Sequence, residues 1–297
     1  MHVFVSGWGG FSGSHIVKFL LQSGHHVSTI TRDKTASTLK KPRIPGLFEL
    51  IYADINNLTS LPKNIDVVIH TAGTSPDFGT NIYDFINNNI LATQKLVCLA
   101  LDAHVKKFIY FSSMSIYGTI VAPTVDENTP ILNPDAYGAS KLFGEFCLQE
   151  CADKLSSFAL RLPAIVGKGA RRHWLATTLE KALKDEPIKA FNLNSPFNNA
   201  IHIQDLCLFI NKLLSSPLEG FNAITLASED HLTISSIINK IKKSTNSSSQ
   251  IITIPETSKS FTISIEKAKK EFQYQPSYFQ TTLDAYLNEA VTICDYD

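Results

Sequence analysis

The sequence carries no surplus of charge of either sign. Lys+Arg and Asp+Glu each number 27, and charged residues make up only 18% of the 297. Nothing in that balance calls for a nucleic-acid partner or an anionic membrane surface. Cysteine is sparse and scattered, at Cys98, Cys147, Cys151, Cys207 and Cys294. Only Cys147 and Cys151 lie close, four apart on a predicted helix. No CxxC or Cys/His cluster has metal-ligand spacing, so no metal site is expected. The thiols are expected to be free and mostly buried, in a reducing compartment. No apolar run approaches the roughly 18 residues needed to cross a bilayer. The chain enters a strand pattern at once, "MHVFVSG", with no charged and then apolar leader ahead of it. The expectation is a soluble, cytoplasmic protein without internal repeats.

Apolar residues are plentiful, at 44%, enough for a large core. Strand and helix patterns alternate from the first residue: strands at 2–6, 26–31, 48–52, 66–70, 106–111 and 157–162, and helices at 12–24, 82–103 and 137–153. Near-continuous apolar strands separated by helices predict an α/β fold, a Rossmann-type doubly wound parallel sheet. After about residue 165 the loops lengthen. Short helices are predicted at 174–184, 204–214, 233–243, 264–272 and 280–291, with small strands at 223–227 and 250–254. This divides the chain into residues 1–165, a dinucleotide-type domain, and residues 166–297, a smaller α/β substrate lobe interleaved with it.

The first βα junction reads "SGWGGFSGSH", with Gly7, Gly10 and Gly13 between a strand and a helix. Glycines there let the backbone turn sharply and approach a pyrophosphate, and the helix N-terminus presents free N–H groups to it. In an alternating βα chain this spacing points to a dinucleotide cradle. The second strand ends at Thr31, where an acid would hold the ribose 2′-hydroxyl of NAD. Thr31 is uncharged and Arg32 follows. A guanidinium pairs with phosphate and stacks on adenine, which favours NADP with NAD as the alternative. Asp33 stands close enough to be the ribose acid if the register shifts, and a solvated Arg32–Asp33 pair is the plain reading of both.

Tyr137 and Lys141 in "YGASK" lie four apart on a predicted helix and share a face. A tyrosine with a reference pKa of about 10 is a poor acid–base group at neutral pH. An ammonium beside it is expected to lower that pKa and make a proton donor and acceptor for a carbonyl/alcohol interconversion. Ser113, in "SSMSIYG" at the carboxyl end of its strand, is placed to hold the reacting oxygen. Ser112 and Ser115 are expected to make only local hydrogen bonds, and His70 to be a packed structural histidine.

Taken together, "GWGGFSG" at 7–13, "ADI" at 53–55, "DVVIHTAG" at 66–73, "NNNILATQKLV" at 87–97, "FSSMSIYG" at 111–118, "YGASK" at 137–141, "LRLPAIVG" at 160–167 and "IHIQDL" at 201–206 resemble the extended short-chain dehydrogenase/reductases, in their nucleotide-sugar epimerase, dehydratase and reductase branch. The resemblance spans nearly the whole chain. It implies Ser113, Tyr137 and Lys141 as the catalytic trio, with Tyr137 and Lys141 also touching the cofactor. It implies Gly7, Gly10, Phe11, Gly13, Arg32, Asp54, Ile55, Ala72 and Asn89 as further cofactor-binding residues. It also implies a homodimer formed through the helices that carry Asn89 and Tyr137.

The chain departs from the branch in places. Ala164 stands where many members have an asparagine, and Asn198 or Asn199 where they have an arginine; in those members both help hold the nucleotide diphosphate, so their absence weakens the case for a nucleotide-sugar substrate. Arg171, Arg172 and His173 are placed to supply charge instead, with a solvated basic turn as the equal alternative. Met114 and Ser115 replace the Asp-Glu pair of 4,6-dehydratases, so no elimination of water is expected. The leading expectation is an NADP(H)-dependent 4-keto sugar-nucleotide reductase with Tyr137 as acid/base. The alternatives are a nucleotide-sugar 4-epimerase and a reductase of a non-sugar carbonyl. A cofactor-sensing regulator would need the cradle but not the trio.

Overall fold

The computed structural model describes residues 1–32, 47–77, 79–255 and 259–294. In chain order the elements are β1 (His2–Ser6), α1 (Phe11–Gln22), β2 (His26–Thr31), β3 (Phe48–Tyr52), β4 (Val67–His70), α2 (Ile82–Phe85), a π-helical turn (Ile86–Leu91), α3 (Ala92–Asp102) and β5 (Lys107–Ser113). A 3₁₀ turn (Met114–Tyr117), β6 (Thr124–Val125), α4 (Ala136–Gln149), β7 (Ser156–Leu162), β8 (Ala164–Val166), α5 (Trp174–Leu183), β9 (Ile188–Ala190), β10 (Pro196–Phe197) and β11 (Ala200–His202) follow. The chain continues through α6 (Ile203–Leu214), β12 (Phe221–Thr225), β13 (Leu232–Thr233), α7 (Ile234–Ser244), β14 (Ile251–Thr253), β15 (Thr262–Ile263), α8 (Glu266–Phe272) and α9 (Phe279–Cys294).

Seven strands form one sheet in the order β12-β7-β5-β4-β1-β2-β3. The pairs β1–β2, β1–β4, β2–β3 and β4–β5 are parallel. Apolar and β-branched residues such as Val3, Phe4, Val5, Val68, Ile69, Phe108 and Ile109 are buried on both faces, which is why these strands read as continuous apolar runs. The order reverses beside β1. The glycine loop after β1 and the segment after β4 therefore open on the same carboxyl edge, where such sheets bind ligands.

The long predicted helix over 82–103 is two helices joined by the π turn. Asn81 starts the first with a capping box, accepting from the Tyr83 and Asp84 N–H groups while Asp84 bonds back. Helix α1 ends at Gln22, earlier than expected, and Gly24 beyond it takes a positive φ of 81°.

Two compact units result. The first comprises residues 1–119, 130–161 and 207–224, and the second 120–129, 162–206 and 225–297. The first is packed around Phe4, Val68, Leu96, Phe108, Tyr110 and Leu148. The second has its own core of Val166, Leu175, Ile188, Ile237, Ile241, Phe279 and Leu283.

Among the described residues no helix is long and apolar enough to cross a membrane, and no group of His, Cys, Asp and Glu could hold a metal. Cys98, Cys147, Cys151 and Cys207 are free. Of these four only Cys207 is buried; Cys98 is exposed because it lies off the core-facing stripe of α3.

Candidate active site

The glycine loop is built by close approach. Gly7 has φ +87°, and a Cβ on it would lie 2.5 Å from Thr71 Oγ1 and 2.8 Å from the Ala72 nitrogen. A Cβ on Gly13 would lie 2.1 Å from the Gly7 carbonyl oxygen, so α1 starts hard against the loop. Gly10 is the N-cap of α1, with no side-chain cap and no acidic residue in the first turn. The helix thus presents its first N–H groups and positive dipole end to whatever fills the loop, an arrangement suited to a phosphate.

Beside the loop lies a cavity of about 250 Å³, lined by Gly7, Gly9, Gly10, Ile30, Thr31, Arg32, Ala53, Asp54, Ile55, Thr71, Ala72, Gly73, Asn88 and Ala92. Of the predicted cofactor residues, it brings together Gly7, Gly10, Arg32, Asp54, Ile55 and Ala72. Gly13 packs under the loop instead, and the Phe11 ring lies on His15 at 4.9 Å. Arg32 Nη1 donates to Asn88 Oδ1 at 3.1 Å and stands 3.6 Å from Asp54 Oδ2. Asp54 itself accepts from the Asn56 N–H at 2.9 Å. Asp33, the alternative ribose acid, lies outside the described residues.

Gly73 carries the cavity wall toward the second cluster. A Cβ there would sit 3.0 Å from Asn89 Oδ1 and 3.2 Å from Lys141 Nζ. Asn89 lies on the π turn and is buried. Its Oδ1 accepts from the Thr74 N–H at 2.7 Å, and its Nδ2 donates to Thr74 O at 3.0 Å and Ser140 Oγ at 2.9 Å. One side chain therefore ties the segment after β4 to α4, between Tyr137 and Lys141. A π turn shifts the helical register by a residue and often marks functional positions. Here it turns Asn89 inward.

Asp135 caps α4, accepting from the Gly138 N–H at 2.7 Å. Tyr137 sits on its first turn. The hydroxyls of Ser113 and Ser75 stand beside the phenol. Burial raises its pKa above the usual value, while these two hydroxyls pull it back. Lys141 Nζ donates to the Phe111 carbonyl at 2.8 Å. Burial brings the Lys141 pKa down to about 8. Ser113 Oγ accepts from the Ser115 N–H at 3.1 Å as it caps the 3₁₀ turn. Ser75 escaped the sequence reading because it sits in an irregular stretch; the run "TAGTS" just past β4 was its one signal.

Ser112 also departs from expectation. Its hydroxyl reaches Glu145 Oε1 at 2.5 Å, 33 residues away, because residues 112 and 113 point to opposite faces of the strand. His70 is fully buried between Ser6 Oγ at 2.7 Å and Thr93 Oγ1 at 2.8 Å. Burial and the charge of Lys141 hold its pKa down to about 3, which fits a structural histidine.

The second unit holds its own cavity of about 320 Å³, lined by Trp174, Phe191, Phe197, Phe261, Lys189, Lys259 and Asn199 among others. Asn198 is buried and spends its amide on the Ile263 backbone at 2.9 and 2.8 Å. Asn199 Oδ1 is a buried acceptor with no partner among the described residues. His173 caps α5, accepting from the Ala176 N–H at 3.1 Å, and burial holds its pKa down to about 4, so it adds no charge there.

Residues 3–226 match the model of the NAD dependent epimerase/dehydratase family. The chain belongs to that family. As a member it is an enzyme of the short-chain dehydrogenase/reductase type that works with a nicotinamide dinucleotide. It is 25% identical over 306 residues to the uncharacterized UDP-glucose epimerase YtcB of Bacillus subtilis, covering 93% of each chain. It is 28% identical over 174 residues to the UDP-glucose 4-epimerase of Azospirillum brasilense, where the match spans 56% of this chain and 49% of that one. The family fold is shared with the UDP-glucuronic acid 4-epimerase of Bacillus cereus, solved with UDP-glucuronic acid and NAD, at a TM-score of 0.85 and 24% identity, covering 99% of this chain and 100% of that one.

Proposed function

We propose that this family member is a nucleotide-sugar 4-epimerase, and that Ser113, Tyr137 and Lys141 carry its reaction. The observation that carries the reading is the Tyr137 phenol with the Ser113 hydroxyl beside it and the Lys141 ammonium buried one helical turn away, next to Gly73 of the cavity wall. The curated relatives named above favour the epimerase over the 4-keto reductase.

The cradle fits a dinucleotide. Gly7 and Gly10 with the start of α1 would hold the pyrophosphate, Asp54, Ile55 and Arg32 the adenosine end, and Ala72, Asn89 and Lys141 the approach to the reacting end. A bound nicotinamide supplies a reversible hydride acceptor for the carbon bearing the reacting hydroxyl. Tyr137 takes the proton from that hydroxyl and returns it. Ser113 donates to the same oxygen and holds it in line. Lys141, kept positive below pH about 8, would bind the cofactor at its reacting end. The aromatic cavity of the second unit supports a nucleobase for the substrate, with Lys189 and Lys259 supplying positive charge for a diphosphate. The absence of a carboxylate pair at Met114 and Ser115 supports inversion without loss of water.

The test is incubation with UDP-glucose and UDP-glucuronic acid and no added reduced dinucleotide. The C4 epimer should form without net cofactor consumption, with no product lighter by one water. With added NADP, net build-up of NADPH together with a 4-keto sugar and no C4 epimer would favour the net oxidoreductase instead.

Thr31 and Arg32 keep the NADP(H)-dependent reductase as the second reading, since no acid stands at the end of β2. They support NADP as the tighter cofactor, with NAD also admitted. Arg32→Ala should then weaken NADP by about 1.5–3 kcal/mol, the value of a charge-assisted contact, and leave NAD nearly unchanged. Calorimetric titration of both cofactors reads this, and a wild type that prefers NAD removes the second reading. Exposed Ile82, Tyr83, Leu91, Phe143 and Phe146 on the helices around Asn89 and Tyr137 support a homodimer. The location we propose is cytoplasmic.

A further inference from the structure

We infer that Glu145, Arg161, Tyr117 and Ser112 act as one positioning device that sets Ser113 against Tyr137 and Lys141. The inference rests on the reading of those three as the reacting groups. Glu145 is four residues past Lys141 on α4 and only 2% exposed, so the two share a helix face. Its carboxylate accepts from Ser112 Oγ at 2.5 Å, from Arg161 Nε at 3.2 Å and from Arg161 Nη2 at 2.8 Å. Arg161 Nη1 donates to the Tyr117 hydroxyl at 2.8 Å, and its guanidinium carbon lies 5.2 Å from the centre of that ring.

Each contact grips a different side of the reacting groups. Ser112 immediately precedes Ser113. Tyr117 closes the 3₁₀ turn that Ser113 caps. Glu145 anchors α4 one turn beyond Lys141. Arg161, on β7 beside β5, joins the carboxylate to the turn. The helix already lies very close to the strand: a Cβ on Gly144 would be 2.4 Å from the Tyr110 hydroxyl. Close approach alone leaves the helix free to slide and rotate over the strand. A forked guanidinium–carboxylate contact removes that freedom, because its two parallel bonds fix direction as well as distance.

Stability does not account for this network. A buried ion pair costs desolvation, and apolar side chains of similar volume often hold a fold equally well. What the polar network adds is register. A small misplacement of reacting groups costs turnover on the order of 10²-fold.

The test compares four proteins: wild type, Tyr117→Phe, Ser112→Ala and the double variant Glu145→Leu/Arg161→Met. The double variant should fold and melt no lower than wild type. It should bind NAD normally and keep its KM within about 2-fold, yet lose about 10²-fold in kcat. Tyr117→Phe and Ser112→Ala should show the same split at about 10-fold, since each removes one bond. If the double variant does not fold, these two single changes decide. Folded variants with wild-type kcat, or with KM and kcat falling together, overturn the inference. Tyr137→Phe runs alongside: if it keeps its turnover, the reading of the reacting groups fails rather than the positioning device.

Discussion

Tyr137→Phe is expected to lower kcat by about 10²- to 10⁴-fold while leaving dinucleotide affinity within a few-fold of wild type, the range for removing a positioned proton-transfer group. The substitution keeps the ring, and with it the contact to Phe85 at 5.9 Å between centroids. It removes one oxygen, whose neighbours are the hydroxyls of Ser113 and Ser75. Both serines lie outside the buried core, so they turn to solvent at a cost of about 1 kcal/mol or less. The fold should therefore survive intact, and the loss should appear in turnover. Steady-state kinetics with a parallel cofactor titration separates the two quantities. Turnover within a few-fold of wild type would mean that another group moves the proton.

Lys141→Met is expected to abolish turnover and also to change how stability depends on pH. The Lys141 pKa falls from 10.5 in the unfolded chain to about 8 in the folded one, because burial disfavours the ammonium. Below about 8 both states carry the proton and the burial penalty is fully present. Between about 8 and 10.5 the unfolded chain holds more protons than the folded one, so stability rises with pH through that window. The gain sums to about 3 kcal/mol, at 1.36 kcal/mol for each pKa unit. Methionine has no such proton. Subtracting the variant's urea-unfolding curve from that of the wild type at each pH cancels the tyrosines and isolates Lys141. A flat difference across the window would show that the ammonium is not buried as described. At neutral pH the buried ammonium weakens the fold, a cost that the proposed function offsets by giving Lys141 a part in the chemistry.

The glycine cradle and the Ser113, Tyr137 and Lys141 positions were legible because each depends on local spacing: three glycines at one βα junction, four residues along one helix, a hydroxyl at a strand end. The sheet was legible for the same reason, since strands buried on both faces announce themselves as apolar runs. What stayed hidden depends on pairing between distant segments. The bond from Ser112 to Glu145 needs β5 laid beside α4, and Arg161 enters only because β7 neighbours β5. The π turn at Ile86–Leu91 leaves no mark in the apolar pattern, yet it sets the inward turn of Asn89. The bond from the Lys141 ammonium to the Phe111 carbonyl stayed hidden too, since a backbone acceptor is a partner no side-chain motif displays.

The claim of C4 inversion is tested most directly with a UDP-sugar carrying deuterium at C4, incubated with the protein and an excess of unlabelled dinucleotide and followed by NMR. The proposed function predicts an inverted C4 that still carries its deuterium, because the hydride leaves and returns within one bound complex. A sugar that never inverts at C4, or one whose deuterium passes into the added cofactor pool, would contradict it.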